Sequence, residues 1–435
     1  MNWFLPNNRI QRLLQEFSWV AVGQVIAVLG SLMLLRVLTE SLDPTKFGQL
    51  ALGLTIAGLV NAVIMGGLVN GIGRFYSVAV EKNDVSGYLH GSFRIISYAT
   101  VAVVIIGLVM IAMLIWFGYF QWIGLMIAAL IFSVLASYNA SLNGIQNAAR
   151  QRKIVAFHSG LDPWLKILFV IGVTLWLGSS STAVVLCYAF ASLLLLISQL
   201  FFLRHLPDSQ GTKNSDLTKK DWVRKIWLFS WPFIIWGLPG WAQISSTRWA
   251  LQAFGSTADV GYYSVLSQLG YIPIQTIMGV FMAFITPVIY SMAGSATDES
   301  RRENVSSLVY RMTLVGIVIT MLATFFTYFL HRQIMTIFVS EEYWLVSEYL
   351  PVLVAAGGIF AVALVISAKH LSFMSPKQLM PANIGSSLIG FAAAFIGVYY
   401  YSFVGAVFAM LIHSVSYLMM LLMVNSPPEA INEPN

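Results

Sequence analysis

Residues 204–225, RHLPDSQGTKNSDLTKKDWVRK, combine Pro, Gly, Ser and a run of charge, the composition of a solvated connection and not of a packed element. On both sides of it the chain consists of apolar runs about as long as a bilayer-spanning helix, ~20 residues. Spans are read at 17–38, 47–71, 94–118, 121–146, 154–178 and 181–203 before the polar segment. After it they are read at 226–252, 260–291, 307–330, 346–370, 379–400 and 402–425. The expected fold class is therefore an all-α polytopic membrane protein of twelve transmembrane helices, with an N-terminal lobe at 1–205, a linker at 206–225 and a C-terminal lobe at 226–435. The blander reading of 204–225, a loop with no mechanical role, leaves the helix count unchanged.

Composition agrees with this reading. Of 435 residues 58% are hydrophobic and only 10% are charged, against roughly 25% charged in soluble proteins, which excludes a soluble enzyme. The 24 Lys and Arg and 18 Asp and Glu give a net charge of +6. Basic residues between hydrophobic spans set topology and meet anionic headgroups, so no nucleic-acid partner is implied and membrane lipids are. Arg9 and Arg12 precede the first span. Arg74, Lys82 and Arg94 follow the second, Arg150, Arg152 and Lys153 the fourth, Arg301, Arg302 and Arg311 the eighth, and Lys369 and Lys377 the tenth, all on the side of the 204–225 segment. The opposite side holds Lys46 and Arg332. The positive-inside rule then places both termini in the cytoplasm. The N-terminal MNWFLPNNRIQRLLQEF reads as an interfacial lead-in and not as a cleavable signal, because the following apolar run is too long and no small-residue cleavage site closes it. Cys187 is the only cysteine, the six His are scattered, and no HExxH or phosphate-loop motif occurs. Neither a metal nor a cofactor is expected, nor catalytic residues.

The two halves repeat. Span 1 opens Phe17-Ser18-Trp19 and reaches Arg36, while span 7 opens Phe229-Ser230-Trp231 and reaches Arg248, each Arg 19 residues after its Phe (17 to 36, 229 to 248). Phe47-Gly48 matches Val260-Gly261, and Tyr76-Ser77 matches Tyr290-Ser291. Six intervening spans restore the chain direction, so the lobes are expected to be parallel repeats about an axis along the membrane normal.

Charges at membrane depth cost at least ~2.5–3.5 kcal/mol and face a cavity or a partner. Arg36 and Arg248 lie ~28 Å along their helices at 1.5 Å per residue, towards the outer side, where they either snorkel to the interface or share a role between the lobes. Asp162 and Lys166 are four residues apart on span 5 and either neutralise one another beside Pro163 or present the Lys166 cation to an anionic substrate, tuned by Asp162. Glu16 marks the inner interface. Asn139, Asn143 and Gln146, with Tyr138, form a polar row on span 4, and Gln268 and Gln275 share a face of span 8. Amides of this kind suit a sugar-binding wall and equally well fasten helices together in a bilayer. Pro232, Gly237, Pro239 and Gly240 make span 7 bendable, as Pro273 does span 8.

With these features the chain resembles the polysaccharide transporters of the multidrug/oligosaccharidyl-lipid/polysaccharide (MOP) exporter superfamily, in particular Wzx-type O-antigen flippases. The likeness is carried by RVLTESLDPTKFGQLALG (36–53), TRWALQAFGSTADVGYYSV (247–265), NGIQNAARQRKIVA (143–156) and YYYSFVGAVFAML (399–411). It implies a MATE/MOP-like fold in the inner membrane. It further implies export of an undecaprenyl-pyrophosphate-linked oligosaccharide from the cytoplasmic to the periplasmic leaflet by alternating access, through a cationic cavity, with a polysaccharide polymerase as a candidate partner. Many relatives carry an acidic residue just before the Arg aligned with Arg248. Here that position is Thr247, which removes the carboxylate from any coupling scheme. Two rivals remain. A cation-coupled multidrug exporter needs deep carboxylates, of which this chain is nearly devoid, and a membrane polymerase or ligase needs a larger outer domain than residues 331–345.

Overall fold

The computed structural model describes residues 7–203, 219–293, 299–373 and 376–424, and every regular element among them is helical. In chain order these are α1 (Asn7–Ser41), α2 (Pro44–Leu59), a π turn at Val60–Met65, α3 (Gly66–Glu81), α4 (Val85–Trp116), α5 (Ile123–Ala148), α6 (Arg152–Leu177) and α7 (Ser181–Leu203). Then follow α8 (Lys219–Phe254), α9 (Thr257–Leu266), a second π turn at Ser267–Tyr271, α10 (Ile272–Ala293), α11 (Glu299–Phe338), a 3-10 turn at Glu341–Tyr349, α12 (Leu350–Ser372) and α13 (Pro376–Met423). Most of the charged connection, residues 204–218, lies outside the described residues.

Among the described residues, ten helices are long and apolar enough to cross a membrane, so the chain is a multi-pass membrane protein. The difference from the expected twelve has two sources. Span 7 falls on α8, which carries Trp, Pro, Gly and Ser where the other spans carry Val, Leu and Ile, and is therefore less apolar. Spans 11 and 12 run together as α13, but helical geometry breaks there at Ser402 (φ 48°, ψ −129°), the residue at which the sequence divides them. Gly397 and Gly405 face each other across this break so closely that a Cβ on Gly405 would enter the Gly397 peptide.

The outward surface is apolar. Along α11, Val315, Val318, Ile319, Met321, Leu322 and Phe325 are all exposed, and α4 does the same with Val101, Ile105, Leu108 and Met113. Patches of this size are incompatible with water and match a lipid environment.

The helix starts are specified locally. Asp43 caps α2 by accepting the Lys46 N–H at 2.9 Å, with Pro44 in the first turn. Burial opposes ionisation of Asp43, but the Lys46 amide and ammonium together hold its carboxyl below the usual range. Ser256 caps α9 in a reciprocal box with Asp259. The helix after Arg36 and the helix after Arg248 thus each begin at a side-chain cap, and each is interrupted by a π turn further on.

The chain folds as two compact units, 1–241 and 242–435, with the boundary inside α8. In the first unit the core gathers Met65, Leu68, Ile72, Tyr88, Ile96, Leu142 and the wholly buried Trp222. Asp84 there caps α4 through the Gly87 N–H (3.0 Å) and accepts the Trp222 indole N–H at 2.7 Å. In the second unit, α11, α12 and α13 pack around Val305, Val362, Ala363, Val365 and Tyr417.

Candidate functional site: a cavity around Arg248

Within the second unit, α8, α9, the π turn at 267–271, α10 and α13 line a cavity of about 310 Å³ that opens to the surface beside Ile244 and Ile272. Arg248 supplies its charge, Tyr263, Ser267, Tyr271 and Gln275 its polar wall, and Ile244 and Met410 its apolar wall. Arg248 Nε donates to Ser264 Oγ at 3.0 Å and Nη1 to the Ile244 carbonyl at 3.4 Å. Its guanidinium carbon lies 6.0 Å from the Tyr263 ring centroid. These contacts fix the plane of the guanidinium without neutralising it: among the described residues no carboxylate lies within ion-pair distance of Arg248. Ser267 Oγ is buried and makes no hydrogen bond, and the Gln275 amide is held by donating to the Gly357 carbonyl at 2.9 Å. A fixed fork donor beside hydroxyl and amide groups suits an oxyanion such as a phosphate or a carboxylate.

Arg36 has different surroundings. Its Nε meets Glu40 at 2.6 Å, four residues along the same helix. Counted from Arg248, the same step arrives at Gln252, an amide whose oxygen accepts from Thr257 Oγ1 at 2.9 Å. One half therefore carries a compensated arginine and the other an uncompensated one.

Asp162 and Lys166 pair at 2.5 Å. The Lys166 ammonium also lies over the rings of Phe132 (5.5 Å) and Tyr188 (5.1 Å). This cation thus has a carboxylate and two aromatic faces as neighbours. The amides of α5 join helices: Asn139 Nδ2 donates to the Ser192 carbonyl at 2.8 Å, and Gln199 Nε2 to Asn143 Oδ1 at 3.2 Å, both between α5 and α7. Gln146 is wholly buried with neither amide atom hydrogen-bonded. Gln275 reaches the Arg248 cavity and Gln268 does not. Seven residues bring two side chains back to one face of an α-helix, within ~20°, but Gln268 lies inside the π turn at Ser267–Tyr271, whose added residue rotates the register by roughly 100°.

Sequence reasoning missed Tyr263, Ser267 and Tyr271. Their signal is the spacing of Tyr263, Ser267 and Tyr271, four residues apart and so along one helix face. It also missed Asp84, legible as a cap before α4, and its partner Trp222.

A family model described as "Polysaccharide biosynthesis protein" matches residues 13–293, well over half of the chain. Comparison with curated protein sequences returns no match. Solved structures of similar fold include the lipid II flippase MurJ in an inward closed conformation (TM-score 0.62, 12% identity, covering 94% of this chain and 86% of that one). They also include a multidrug-resistance MATE transporter of the MOP superfamily, inward-facing (TM-score 0.64, 16% identity, 92% and 93% covered). A third is a MOP-superfamily transporter from Pyrococcus furiosus reported with a binding pocket of reversed polarity (TM-score 0.60, 15% identity, 94% and 95% covered). The chain thus belongs to the polysaccharide biosynthesis protein family and has the fold of the MOP-superfamily transporters.

Proposed function

We propose that this protein is a flippase that moves a polyprenyl-pyrophosphate-linked oligosaccharide, an O-antigen or similar surface-polysaccharide unit, from the cytoplasmic to the periplasmic leaflet of the inner membrane. The observation that carries the reading is the uncompensated Arg248 in its cavity of tyrosine, serine and glutamine side chains. A lone guanidinium at membrane depth costs several kcal/mol, and an anionic ligand is what offsets that cost. Family membership and the MurJ-like fold support a lipid-linked cargo. In this reading the pyrophosphate or an acidic sugar is held by Arg248, with Gln275 as a hydroxyl partner. Twelve helices form two six-helix lobes, α8 and the two parts of α13 counted as spans, and both termini are cytoplasmic. Arg36, Asp162, Lys166, Asn139 and Asn143 position helices, Gln268 has no part in the site, and a polysaccharide polymerase is the expected downstream partner.

The test is deletion of the gene followed by analysis of lipid-linked saccharides. Accumulation of a polyprenyl-pyrophosphate oligosaccharide on the inner leaflet, restored to wild type by the intact gene and not by Arg248→Gln at equal expression, is the expected result. If no such lipid accumulates and the cells instead become sensitive to lipophilic cations, the protein is a drug exporter and the flippase reading fails.

A further inference from the structure

Two depressions on the second unit lie in series between the same two stretches of chain. The first is an apolar groove of about 620 Å³ between α11 (Ile317, Met321, Phe325, Phe329) and α12 (Ala355, Ile359). From Ile317 to Phe329 the helix advances about 18 Å at 1.5 Å per residue, slightly more than half of the ~30 Å hydrocarbon core. The groove therefore has the length of one leaflet. Just past its end, at the Phe338 side of α11, His331 and Arg332 share a pocket of about 310 Å³ with Trp344, Ser347 and Glu348 from the turn that leads into α12.

This second pocket contains charges of both signs that do not pair with one another. His331 Nδ1 is buried without a hydrogen-bond partner, and the Trp344 ring is held by its N–H on the Val339 carbonyl at 3.3 Å. A simple anion here meets the Glu348 carboxylate, and a simple cation meets Arg332. A zwitterion satisfies both. Among the described residues Trp344 alone brings an indole or phenyl ring to the pocket, whereas a quaternary ammonium is recognised by a cage of several; a primary ammonium needs only a carboxylate acceptor. The pocket begins two residues along α11 from Phe329, the end of a groove of leaflet length, so a ligand with a chain as well as a headgroup fits the pair.

We propose that the α11–α12 face binds an ethanolamine glycerophospholipid as a resident lipid, its phosphate on Arg332 and His331, its ammonium on Glu348 and an acyl chain in the groove. This site is separate from the Arg248 cavity and does not depend on what that cavity carries.

The test uses the full chain purified in detergent, with native mass spectrometry against dioleoyl phosphatidylethanolamine, phosphatidylglycerol and phosphatidylcholine. Phosphatidylethanolamine is expected to bind about tenfold more tightly than either, a difference of about 1.4 kcal/mol. Glu348→Gln leaves the pocket cationic and should reverse the ranking towards phosphatidylglycerol, a gain that misfolding cannot imitate. Ile359→Trp should fill the groove and weaken all three lipids. Equal or tighter binding of phosphatidylglycerol or phosphatidylcholine by the unaltered protein overturns the proposal, as does an unchanged ranking in Glu348→Gln. A lipid-free dimer abolished by Ile359→Trp overturns it as well, because the groove would then receive a second copy.

Discussion

Arg36 and Arg248 hold equivalent sequence positions, and the residue one turn further on decides what each can do. Glu40 ties up the first guanidinium at 2.6 Å, whereas Gln252 leaves the second facing its cavity. Gln252→Glu is therefore the most informative single change. It rebuilds the i, i+4 pair on α8, keeps the oxygen that Thr257 donates to, and places a tethered carboxylate in competition with the cargo. Transport should fall on the order of tenfold at normal expression, corresponding to about 1.4 kcal/mol of lost anion binding. Cavity volume should hardly change, because Gln and Glu are nearly isosteric. Arg248→Lys should also impair transport, since a point charge cannot reproduce the fork, while the paired removal Arg36→Gln with Glu40→Gln should be tolerated. Full transport by Gln252→Glu would remove Arg248 from the site. Both arginines were legible in the sequence, because charge is rare in apolar spans. Their difference in state was not: it depends on reading Gln252 against Glu40, and on Tyr263 and Ser264 standing where the first half has Leu50 and Ala51.

At the scale of elements, the helix pairs are set by small residues. α1 and α6 approach so closely that a Cβ on Gly23 would lie 2.7 Å from Ala156 Cα, and one on Gly30 would lie 2.7 Å from the Pro163 ring. Close backbone approach through small side chains is a main source of helix association where lipid removes the hydrophobic driving force. Gly23→Ala should destabilise by about 1–3 kcal/mol through overpacking, read as a lower midpoint of thermal unfolding in detergent. Gly172→Ala on the same α6 meets nothing within 4 Å and should stabilise by up to about 1 kcal/mol, read as a higher midpoint, since glycine in a helix interior costs that much. Equal behaviour of the two variants would show that the glycines do not set the packing. Helix positions were legible from hydropathy, as the break at Ser402 illustrates. The π turns were not, because a single added residue leaves the apolar pattern intact while rotating the polar face, so Gln268 and Gln275 share a face in an ideal α-helix but not across this turn.

For the whole molecule, topology is the firmest expectation, and it rests on where Lys and Arg fall between spans. With Cys187 replaced by Ser, a cysteine at Ser340 should react with an impermeant maleimide in spheroplasts and one at Ser215 should not; labelling at Ser215 would reverse the orientation. Within the first unit, residues 226–241 of α8 run antiparallel along α2 and α3, with Ile226 by Gly71, Ile234 by Gly67 and Trp241 by Gly58. The ends of this seam are held by Trp222 on Asp84 and by the Trp241 indole on the Thr55 carbonyl at 2.8 Å. Trp222→Phe should destabilise by about 1–3 kcal/mol, read as a lower unfolding midpoint, because it strands a buried carboxylate oxygen; Asp84→Asn, which leaves one acceptor oxygen for the Gly87 and Trp222 donors and turns an NH2 against the other, should destabilise as well. The exchange of Glu40 for Gln252 between the halves has a consequence for counting. A duplicated scaffold with two equal charges would offer two equal berths; with Glu40 beside Arg36 and Gln252 at the matching step from Arg248, the proposed flippase is expected to carry a single anionic headgroup per cycle.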